Sequence, residues 1–283
     1  MLKIQKIKSK TEYQSHHQKR IIRKLVWIII DTAELLIGRG RGGLTPPRSI
    51  VHISRSEWKE YGKKFCKYFK DIGGIAPDSK ILDVGSGIGS AAVGLTEYLS
   101  KDGEYQGFDC DKIQVDWCKS HISKKFSNFH FQHSNIINMN YNPNGIHQSS
   151  SYKFPYEDDY FDFVYLLSVF THMFTPDMEN YLKEISRVLK PGGRCFITYF
   201  LLNNESEKFI KIGESSQNLI YDIDGCVTSN KENPEAANGF KEDHIRKLYK
   251  ENGLALSDPI HFGSWCGRAD FIDYQDIVIG TKK

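Results

Sequence analysis

Short apolar runs alternate with helical stretches along the middle of the chain. Five runs are rich in β-branched and aromatic side chains and predict strands. The segments between them show the spacing of amphipathic helices, and strands that alternate with helices of about 10–15 residues imply a parallel sheet covered on both faces. We therefore predict an α/β fold with a doubly wound, mostly parallel sheet. The predicted strands are 80–84, 105–108, 129–133, 161–167 and 194–199, and the predicted helices between them are 91–99, 112–125 and 177–188.

The pattern is weaker on both sides of this region. Residues 58–71 place aromatic side chains on one helical stripe, which predicts a helix that Gly73 and Gly74 end. After residue 203, only 244–252 is typical of a helix and only 277–279 of a strand. The sequence defines no role for the aromatic and glycine-rich tail, residues 263–276.

The charge is divided unevenly along the chain. Residues 1–24 hold eight Lys or Arg and one acid, a net charge of +7, whereas the remainder holds 30 basic and 34 acidic residues. A mildly acidic body is a poor electrostatic match for a phosphate backbone, so we expect no nucleic-acid partner. The six cysteines are scattered without metal-ligand spacing, which predicts reduced thiols, no metal site and a cytoplasmic protein.

The basic segment leads into an apolar stretch, residues 21–37, that predicts a helix too interrupted by charge to cross a membrane. Glycines at 38–43 end it, so we divide the chain into an amphipathic arm, residues 1–43, and a domain, residues 44–283. A wide apolar face with basic flanks suits peripheral attachment to a membrane. The same face could instead pack on its own domain or on a second subunit. The polar residues share one narrow stripe: Arg20, Arg23, Lys24, Trp27, Asp31 and Glu34.

The first predicted strand runs into a glycine-rich loop, residues 83–89 (DVGSGIG). Glycines let a backbone turn sharply and approach a ligand closely, and the next helix offers its N-terminus to an electron-rich group. A dinucleotide-binding loop has the spacing G-x-G-x-x-G. Here the third glycine comes one residue early and an acid stands two residues before the first, which suits a ligand that carries an ammonium group. The candidate residues are Asp83, Gly85, Ser86, Gly87 and Gly89.

Two more strand ends offer side chains to an adenine nucleoside. Asp109, with Cys110 beside it, ends the second strand twenty residues after Gly89, where a carboxylate can accept hydrogen bonds from both ribose hydroxyls. Asn135 and Ile136 follow the third strand, and an amide oxygen there could receive the adenine amino group while Ile136 packs on the ring. These features suit several adenosine cofactors and do not choose between them.

The turn SRVLKPGGR, residues 186–194, links a predicted helix to the fifth strand. Together with ILDVGSGIGS and FPYEDDYFDFVYLLSVFTHM, it resembles the class I S-adenosylmethionine (SAM)-dependent methyltransferases. The likeness is strongest to the small-molecule, type 11-like branch that includes the ubiquinone and menaquinone C-methyltransferases. It covers residues 75–200 and implies a Rossmann-like sheet of seven strands with SAM as the cofactor.

The resemblance also assigns site residues. It implies that Asp83 and Gly85 lie near the methionine part of SAM, that Asp109 holds the ribose, and that Ser168 lines the methyl-donor pocket. Asn135 would contact adenine at a position where the family more often has Asp. An amide oxygen still accepts a hydrogen bond there, without the charge.

His172 follows the fourth strand, on the edge of the sheet where ligands bind. An imidazole, with an unperturbed pKa of ~6.5, suits a general base near neutral pH. The reaction needs a base only if the acceptor must lose a proton. Alternatively, His172 shapes the pocket or caps the next helix. Tyr199, at the end of the fifth strand, either orients the acceptor or belongs to the core or rim.

We therefore expect methyl transfer from SAM to a small-molecule, lipid-linked or glycan acceptor. The sequence contains neither an Asn/Asp-Pro-Pro-aromatic motif nor a Pro-Cys pair, which are typical of enzymes that methylate nucleic-acid bases. Two alternatives remain open at this point. One is a Rossmann enzyme that uses NAD or a nucleotide sugar, and the other is a non-catalytic SAM-binding protein tethered by its arm.

Overall fold

The computed structural model describes residues 25–36, 43–51 and 55–283. The basic segment before residue 25 and the glycines at 38–42 lie outside the described residues. The strands, numbered along the chain, are β1 (Lys80–Val84), β2 (Glu104–Asp109), β3 (Phe129–His133), β4 (Phe161–Leu166), β5 (Leu189–Tyr199), β6 (Leu201–Leu202), β7 (Tyr221–Ile223), β8 (Cys226–Thr228), β9 (Asn238–Lys241), β10 (Leu254–Leu256) and β11 (Asp276–Lys282). The helices are α1 (residues 25–36), α2 (Arg55–Tyr68), α3 (Ser90–Leu95), α4 (Lys112–Cys118), α5 (Thr175–Val188), α6 (Asn204–Ile212) and α7 (Glu242–Glu251).

Seven strands form the main sheet, in the order β10-β11-β5-β4-β1-β2-β3. Strands β1 to β5 are parallel to one another, whereas β11 runs antiparallel to β5 and β10 antiparallel to β11. After β3, at one edge, the chain crosses to β4 on the other side of β1, so the strand order reverses between β1 and β4. The predicted doubly wound, mostly parallel sheet of seven strands is confirmed.

Each face of the sheet buries its own core, because successive residues of a strand point to opposite faces. In β1, Ile81 packs with the side chains of α2 and α3, whereas Leu82 packs with those of α5 and α7. Both side chains are fully buried. Tyr199 also lies in the α5–α7 core, where its hydroxyl is 3.2 Å from that of Tyr249. Tyr199 is therefore a core residue rather than an orienting group at the site.

The predicted helices occur, with shifted ends. Residues 112–125 are helical as α4 and a π-helical turn, Lys119–Ser123, and residues 58–71 as α2 and a second such turn, Phe69–Gly73. Helix α3 ends at Leu95, earlier than the expected 99. The residues after α5 were expected to form a turn before the fifth strand, but they belong to the strand itself. Strand β5 begins at Leu189, directly after the helix, and the Lys-Pro-Gly-Gly residues form an irregular stretch inside the strand, between the pairs Phe161–Leu189 and Phe163–Arg194.

A second, smaller sheet is formed by the residues between β5 and β10, and it was not predicted. It has the order β6-β9-β8-β7. Its strands are two to four residues long, too short for a period-2 pattern to show in the sequence. A loop, residues 229–237, connects β8 to β9 and reaches the carboxyl edge of the main sheet.

Within α1, the described residues of the polar stripe face Arg48, near the start of the domain. Arg48 forms ion pairs with Glu34 (2.9 Å) and Asp31 (3.4 Å), and its guanidinium lies 5.5 Å from the centre of the Trp27 ring. Six apolar side chains on the rest of α1 are between 44% and 81% exposed: Leu25, Val26, Ile28, Ile29, Leu35 and Leu36. In the described part of the chain, no helix is both long enough and apolar enough to cross a bilayer.

Candidate active site

A cavity of about 310 Å³ opens at the carboxyl ends of β1, β2 and β4, where the strand order reverses. Ligands of open α/β sheets bind at this kind of edge. The cavity is lined by residues from the loops after β1 to β4 and from α4 and α5: Val84, Gly85, Gly87, Phe108, Asp109, Cys110, Gln114, Ile136, Asn138, Tyr141, Ser149, Leu167, Ser168, Val169, His172, Met173 and Tyr181. Of the predicted site residues, Gly85, Gly87, Asp109, Cys110, Ile136, Ser168 and His172 are brought together here.

The glycine-rich loop forms one wall of the cavity. The Gly85 and Ser86 amides donate to the Phe108 carbonyl (2.9 and 3.0 Å), which fixes the loop to the end of β2. A Cβ on Gly85 would lie 2.5 Å from Val169 Cγ2, so the close approach of the loop after β4 requires glycine. Gly87 has φ +51°, and a Cβ there would lie 3.3 Å from Gln114 Oε1 at the cavity wall. Bare backbone at these two positions keeps the wall open to a ligand.

Two other predicted loop residues do not line the cavity. A Cβ on Gly89 would lie 2.7 Å from Ile122 Cδ1, so Gly89 serves the packing of the loop against the end of α4. Ser86 is buried, and its Oγ has no hydrogen-bond partner within the described residues. The loop therefore divides into residues that face the cavity and residues that fit it to the fold.

Asp109 presents its carboxylate to the cavity. Its Oδ2 accepts the Gly87 amide and its Oδ1 accepts the Asp111 amide, both at 2.7 Å. Burial raises the pKa of Asp109, and these two hydrogen bonds oppose that rise. Since a carboxylate has about four acceptor positions, each oxygen keeps one for a ligand hydroxyl. This geometry fits a ribose diol.

Asp83 lies on the other face of the sheet. Its Oδ2 accepts hydrogen bonds from the hydroxyls of Tyr105 (2.6 Å) and Tyr165 (2.7 Å), within the core beneath α2. Burial raises the pKa of Asp83 to about 7, and the two tyrosine hydrogen bonds oppose the rise. Asp83 is absent from the cavity lining, and its carboxyl group lies in the core below the loop. Its contact with the methionine part of SAM stays a prediction.

The loop after β3 offers a different amide from the one expected. The side-chain oxygen of Asn135 accepts from Asn142 Nδ2 (3.0 Å) and does not line the cavity. Asn138 and Ile136 do line it. Asn138 was missed because residues 138 and 142 pair across a tight turn that periodicity does not reveal.

Ser168 lies at the start of the loop after β4, with an unusual φ of +58°. Its amide donates to Thr198 Oγ1 (2.8 Å), and its hydroxyl donates to Gln275 Oε1 (3.0 Å). Gln275 belongs to the tail that had no role in the sequence analysis. The structure therefore links that tail to the cavity through one side chain.

The buried carboxylate of Asp276 holds the tail in place. It accepts the amides of Leu201 and Gly263 and the indole N–H of Trp265, each at 2.7 Å, and an Arg268 nitrogen at 3.2 Å. Burial raises its pKa to about 6 against these four donors. Because Asp276 directly follows Gln275, this cluster fixes the side chain that meets Ser168.

His172 ends a 3-10 turn, Phe170–His172, at the cavity. Its Nδ1 lies 2.7 Å from the backbone oxygen of Glu235. A carbonyl oxygen only accepts, so Nδ1 carries the proton, and in the neutral ring Nε2 keeps a free lone pair. Helix α5 has Phe174 at its N-cap and no side-chain cap, so His172 does not cap that helix.

The cavity lining contains few charged side chains. Asp109 is the single acid in the lining, and no Lys or Arg lines the cavity within the described residues. Burial raises the pKa of the Cys110 thiol, which keeps it protonated and unsuited to act as a nucleophile. In the same described part of the chain, no cluster of three or more His, Cys, Asp or Glu residues could hold a metal ion.

Comparison with known proteins identifies the class. A family model described as a methyltransferase domain matches residues 75–253, more than half of the chain. The chain belongs to this family. This confirms the class predicted from the three motifs, a class I SAM-dependent methyltransferase with SAM as cofactor, and sets aside the NAD- or nucleotide-sugar-dependent alternative.

Individual relatives agree with this assignment. The chain is 30% identical over 143 residues to sterol 24-C-methyltransferase erg6 of Schizosaccharomyces pombe, an alignment that covers 48% of this chain and 32% of the relative. It is 30% identical over 148 residues to the ubiquinone/menaquinone biosynthesis C-methyltransferase UbiE of Geotalea daltonii, which covers 52% and 53%. The chain thus spans about half or less of the length of these relatives.

A solved structure shows the same fold. The PH0226 protein of Pyrococcus horikoshii superposes with a TM-score of 0.57 at 17% identity, and the match covers 83% of this chain and 96% of that protein.

Proposed function

We propose that this chain transfers the methyl group of SAM to an uncharged, amphipathic small molecule, and that a lipid-linked intermediate is the acceptor class that fits best. The observation that carries the proposal is the composition of the cavity and its mouth. Among the described residues, the lining offers one carboxylate, which faces the ribose position, and no cation to pair with an anionic acceptor.

The residues at the cavity fit SAM. Asp109 offers two carboxylate oxygens for the ribose, Gly87 keeps the wall free of a side chain, and Ile136 gives an apolar surface for adenine. When bound, SAM supplies an electrophilic methyl group on a sulfonium, a good leaving group. The chain's contribution is to position the acceptor and to exclude water, because orientation can supply much of the rate enhancement.

The mouth of the cavity favours an apolar acceptor over a glycan. Three large apolar side chains on the loop after β3 are exposed: Met139 (66%), Tyr141 (52%) and Ile146 (71%). Tyr141 lines the cavity itself, and Met173 adds a second apolar side chain to the lining. Exposed apolar side chains next to the cavity suit an isoprenoid or acyl chain better than the hydroxyl-rich surface of a sugar.

His172 is the general base in this proposal. Nε2 of His172 would take the acceptor's proton and leave the electron pair of that bond on the acceptor atom, and bound SAM would supply the electrophilic methyl group for that pair. The imidazolium that forms keeps its Nδ1–H bond to the Glu235 carbonyl and then releases the Nε2 proton to solvent.

Turnover of His172→Ala tests this role. A positioned base contributes about 10²–10⁴-fold, so the variant should lose that much activity on a membrane lipid extract while binding SAM as the unaltered protein does. His130→Ala, which removes an exposed histidine from β3, is the matched control and should keep full activity. A loss of only a few-fold in His172→Ala would leave His172 as a residue that shapes the pocket.

We further propose that α1 attaches the enzyme peripherally to an anionic membrane. The polar stripe of α1 faces Arg48, and the apolar side chains around the remainder are exposed. The segment that precedes the helix carries a net charge of +7. Each Lys or Arg near an anionic surface contributes about 1 kcal/mol, and insertion of apolar side chains adds to this attraction. Such attachment would bring the cavity close to lipid-linked acceptors.

Sedimentation with vesicles of phosphatidylcholine and phosphatidylserine tests the attachment. The double variant Ile29→Glu/Leu36→Glu should lose binding, whereas Ile113→Glu, which places a charge on exposed α4, should bind as before. Raising the salt concentration should release the unaltered protein. If the double variant instead dissociates a dimer and vesicles pellet neither protein, the face of α1 is a subunit interface and the membrane proposal is wrong.

A further inference from the structure

We propose that Glu235 is a positioning residue that holds His172 in its proton-accepting tautomer and ties it to the rim of the cavity. The inference rests on the proposed role of His172. It concerns the loop between β8 and β9 of the small sheet, a part of the chain in which the sequence indicated no functional residue.

Glu235 bridges the two sides of the cavity mouth. Its backbone oxygen accepts the Nδ1 proton of His172 (2.7 Å), on the side formed by the loop after β4. Its carboxylate accepts the amide of Met139 (3.0 Å) and Nδ2 of Asn140 (3.5 Å), on the side formed by the loop after β3. Asn138 and Tyr141, which flank these two residues, line the cavity. One half-buried residue therefore connects the base to the rim.

The loop that carries Glu235 is anchored close to it on both sides. Thr228 is fully buried at the end of β8, and its Oγ1 lies 3.0 Å from the Pro234 carbonyl and 3.2 Å from that of Ala237. Asn238, also fully buried, donates from Nδ2 to the Met173 carbonyl (3.0 Å), one residue beyond His172. These anchors hold the residues on either side of Glu235, and its own carboxylate adds the third contact that keeps its carbonyl against the imidazole.

The hydrogen bond decides which nitrogen is available. A neutral histidine in water exchanges its proton between Nδ1 and Nε2, and only the form with a bare Nε2 can accept a proton there. The Glu235 carbonyl stabilises that form and fixes the ring plane. The carboxylate of the same residue holds the rim, so loss of this side chain should free the loop and weaken both contacts.

Three variants separate this positioning role from a structural one. Glu235→Ala should lower kcat about tenfold, a part of the 10²–10⁴-fold that a positioned base supplies, while the Kd of SAM stays within about twofold. Glu235→Gln keeps an acceptor oxygen for the Met139 amide and should restore most of the lost activity. Glu232→Ala removes an exposed acid from the same loop and should have no effect.

The tautomer can be measured without any assay of activity. In the unaltered protein, ¹⁵N NMR of the imidazoles, with His172 assigned by its loss in His172→Gln, should show a protonated Nδ1 and a bare Nε2. In Glu235→Ala the two nitrogens should move toward averaged shifts. A protonated Nε2 in the unaltered protein, or unchanged kcat and unchanged shifts in Glu235→Ala, would overturn the proposal.

The design also separates two kinds of failure. If His172→Ala keeps full activity, the proposed base is wrong, whereas the NMR spectrum still reports whether Glu235 fixes the ring. If Glu235→Ala does not fold, the tautomer of His172 in the unaltered protein and the activity of Glu235→Gln still test the proposed role of Glu235. Full tautomer bias with wild-type activity in Glu235→Gln would support the proposal, and an inactive but folded Glu235→Gln would contradict it.

Discussion

Replacement of Asp109 by alanine removes two sets of hydrogen bonds at once. In the protein without ligand, the carboxylate accepts the amides of Gly87 and Asp111. In the complex with SAM, we expect the same two oxygens to accept the ribose hydroxyls as well. The variant should therefore weaken both the fold of the glycine-rich loop and the binding of SAM, and the two effects can be measured separately.

The magnitude follows from the number of hydrogen bonds. A hydrogen bond to a charged group contributes about 1.5–3 kcal/mol, so loss of two ribose contacts should cost about 3–6 kcal/mol, or about 10²–10⁴-fold in Kd. Because burial raises the pKa of Asp109, the protein already bears a cost for the charge, and we expect the lower half of this range. Loss of the two amide contacts, at the same value for each hydrogen bond, should lower the free energy of unfolding by at most about 3–6 kcal/mol.

Calorimetric titration with SAM and urea unfolding without ligand give the two quantities. Asp116→Ala removes an exposed acid from α4 and is the matched control, which should change neither the Kd nor the unfolding midpoint. Asp109→Asn keeps one acceptor oxygen, so its Kd for SAM and its unfolding midpoint should lie between those of Asp109→Ala and Asp116→Ala. A folded Asp109→Ala protein with an unchanged Kd would remove Asp109 from the cofactor site and refute the assignment.

Three further substitutions test other parts of the site. Gly87→Val should abolish SAM binding in a folded protein, because a branched side chain at φ +51° would enter the cavity, whereas Gly192→Val, at φ +81° with no atom within 4 Å of its Cβ, should bind SAM normally. Gly89→Ala should lower the unfolding midpoint much more than the SAM affinity, because its Cβ would meet Ile122. Asp83→Asn should remove a pH dependence of stability that the native carboxyl causes.

The sign of that pH dependence follows from burial. The pKa of Asp83 is raised to about 7 in the fold, above its value of ~3.9 in an unfolded chain. The stabilisation is complete below pH ~4 and is lost as the pH rises to about 7, a total of about 4 kcal/mol. The difference in unfolding free energy between the unaltered protein and Asp83→Asn should therefore fall across this window. A difference that stays constant from pH 4 to 8 would show that Asp83 is charged in the fold.

Normal SAM affinity in Gly87→Val, or weakened affinity in a stable Gly89→Ala, would contradict the division of the glycine-rich loop into residues that face the cavity and residues that pack against the fold.

The sequence was most informative where a strand leads directly into the site. Strands β1 to β5 are apolar runs between glycines and helices, so their positions along the chain and the loops after them could be predicted. Asp109 and Ile136 line the cavity because each stands within three residues of such a strand end. The side on which Asp83 lies was not evident, because alternation along β1 gives opposite faces but does not say which face the ligand occupies.

The missed residues come from parts of the chain with no periodic signal. Asn138 reaches the cavity through a tight turn, and Gln275 reaches Ser168 through a tail held by a buried carboxylate. Glu235 depends on a sheet whose strands are too short to recognise. The orientation of α1 also required the structure, because the pairing of Arg48 with Glu34 joins two segments that the sequence pattern leaves independent. The division of the chain at residues 43 and 44 stays a prediction.

The most direct test of the account is transfer of a labelled methyl group from SAM to an extract of membrane lipids. We predict that label appears in the organic phase, in a compound with an uncharged head group, and that Asp109→Ala and His172→Ala each lower this transfer by about a hundredfold or more. Label that partitions into the aqueous phase would contradict the amphipathic acceptor. Tight SAM binding with no labelled product from lipid or aqueous extracts would contradict the central claim and leave a SAM-binding protein without transferase activity.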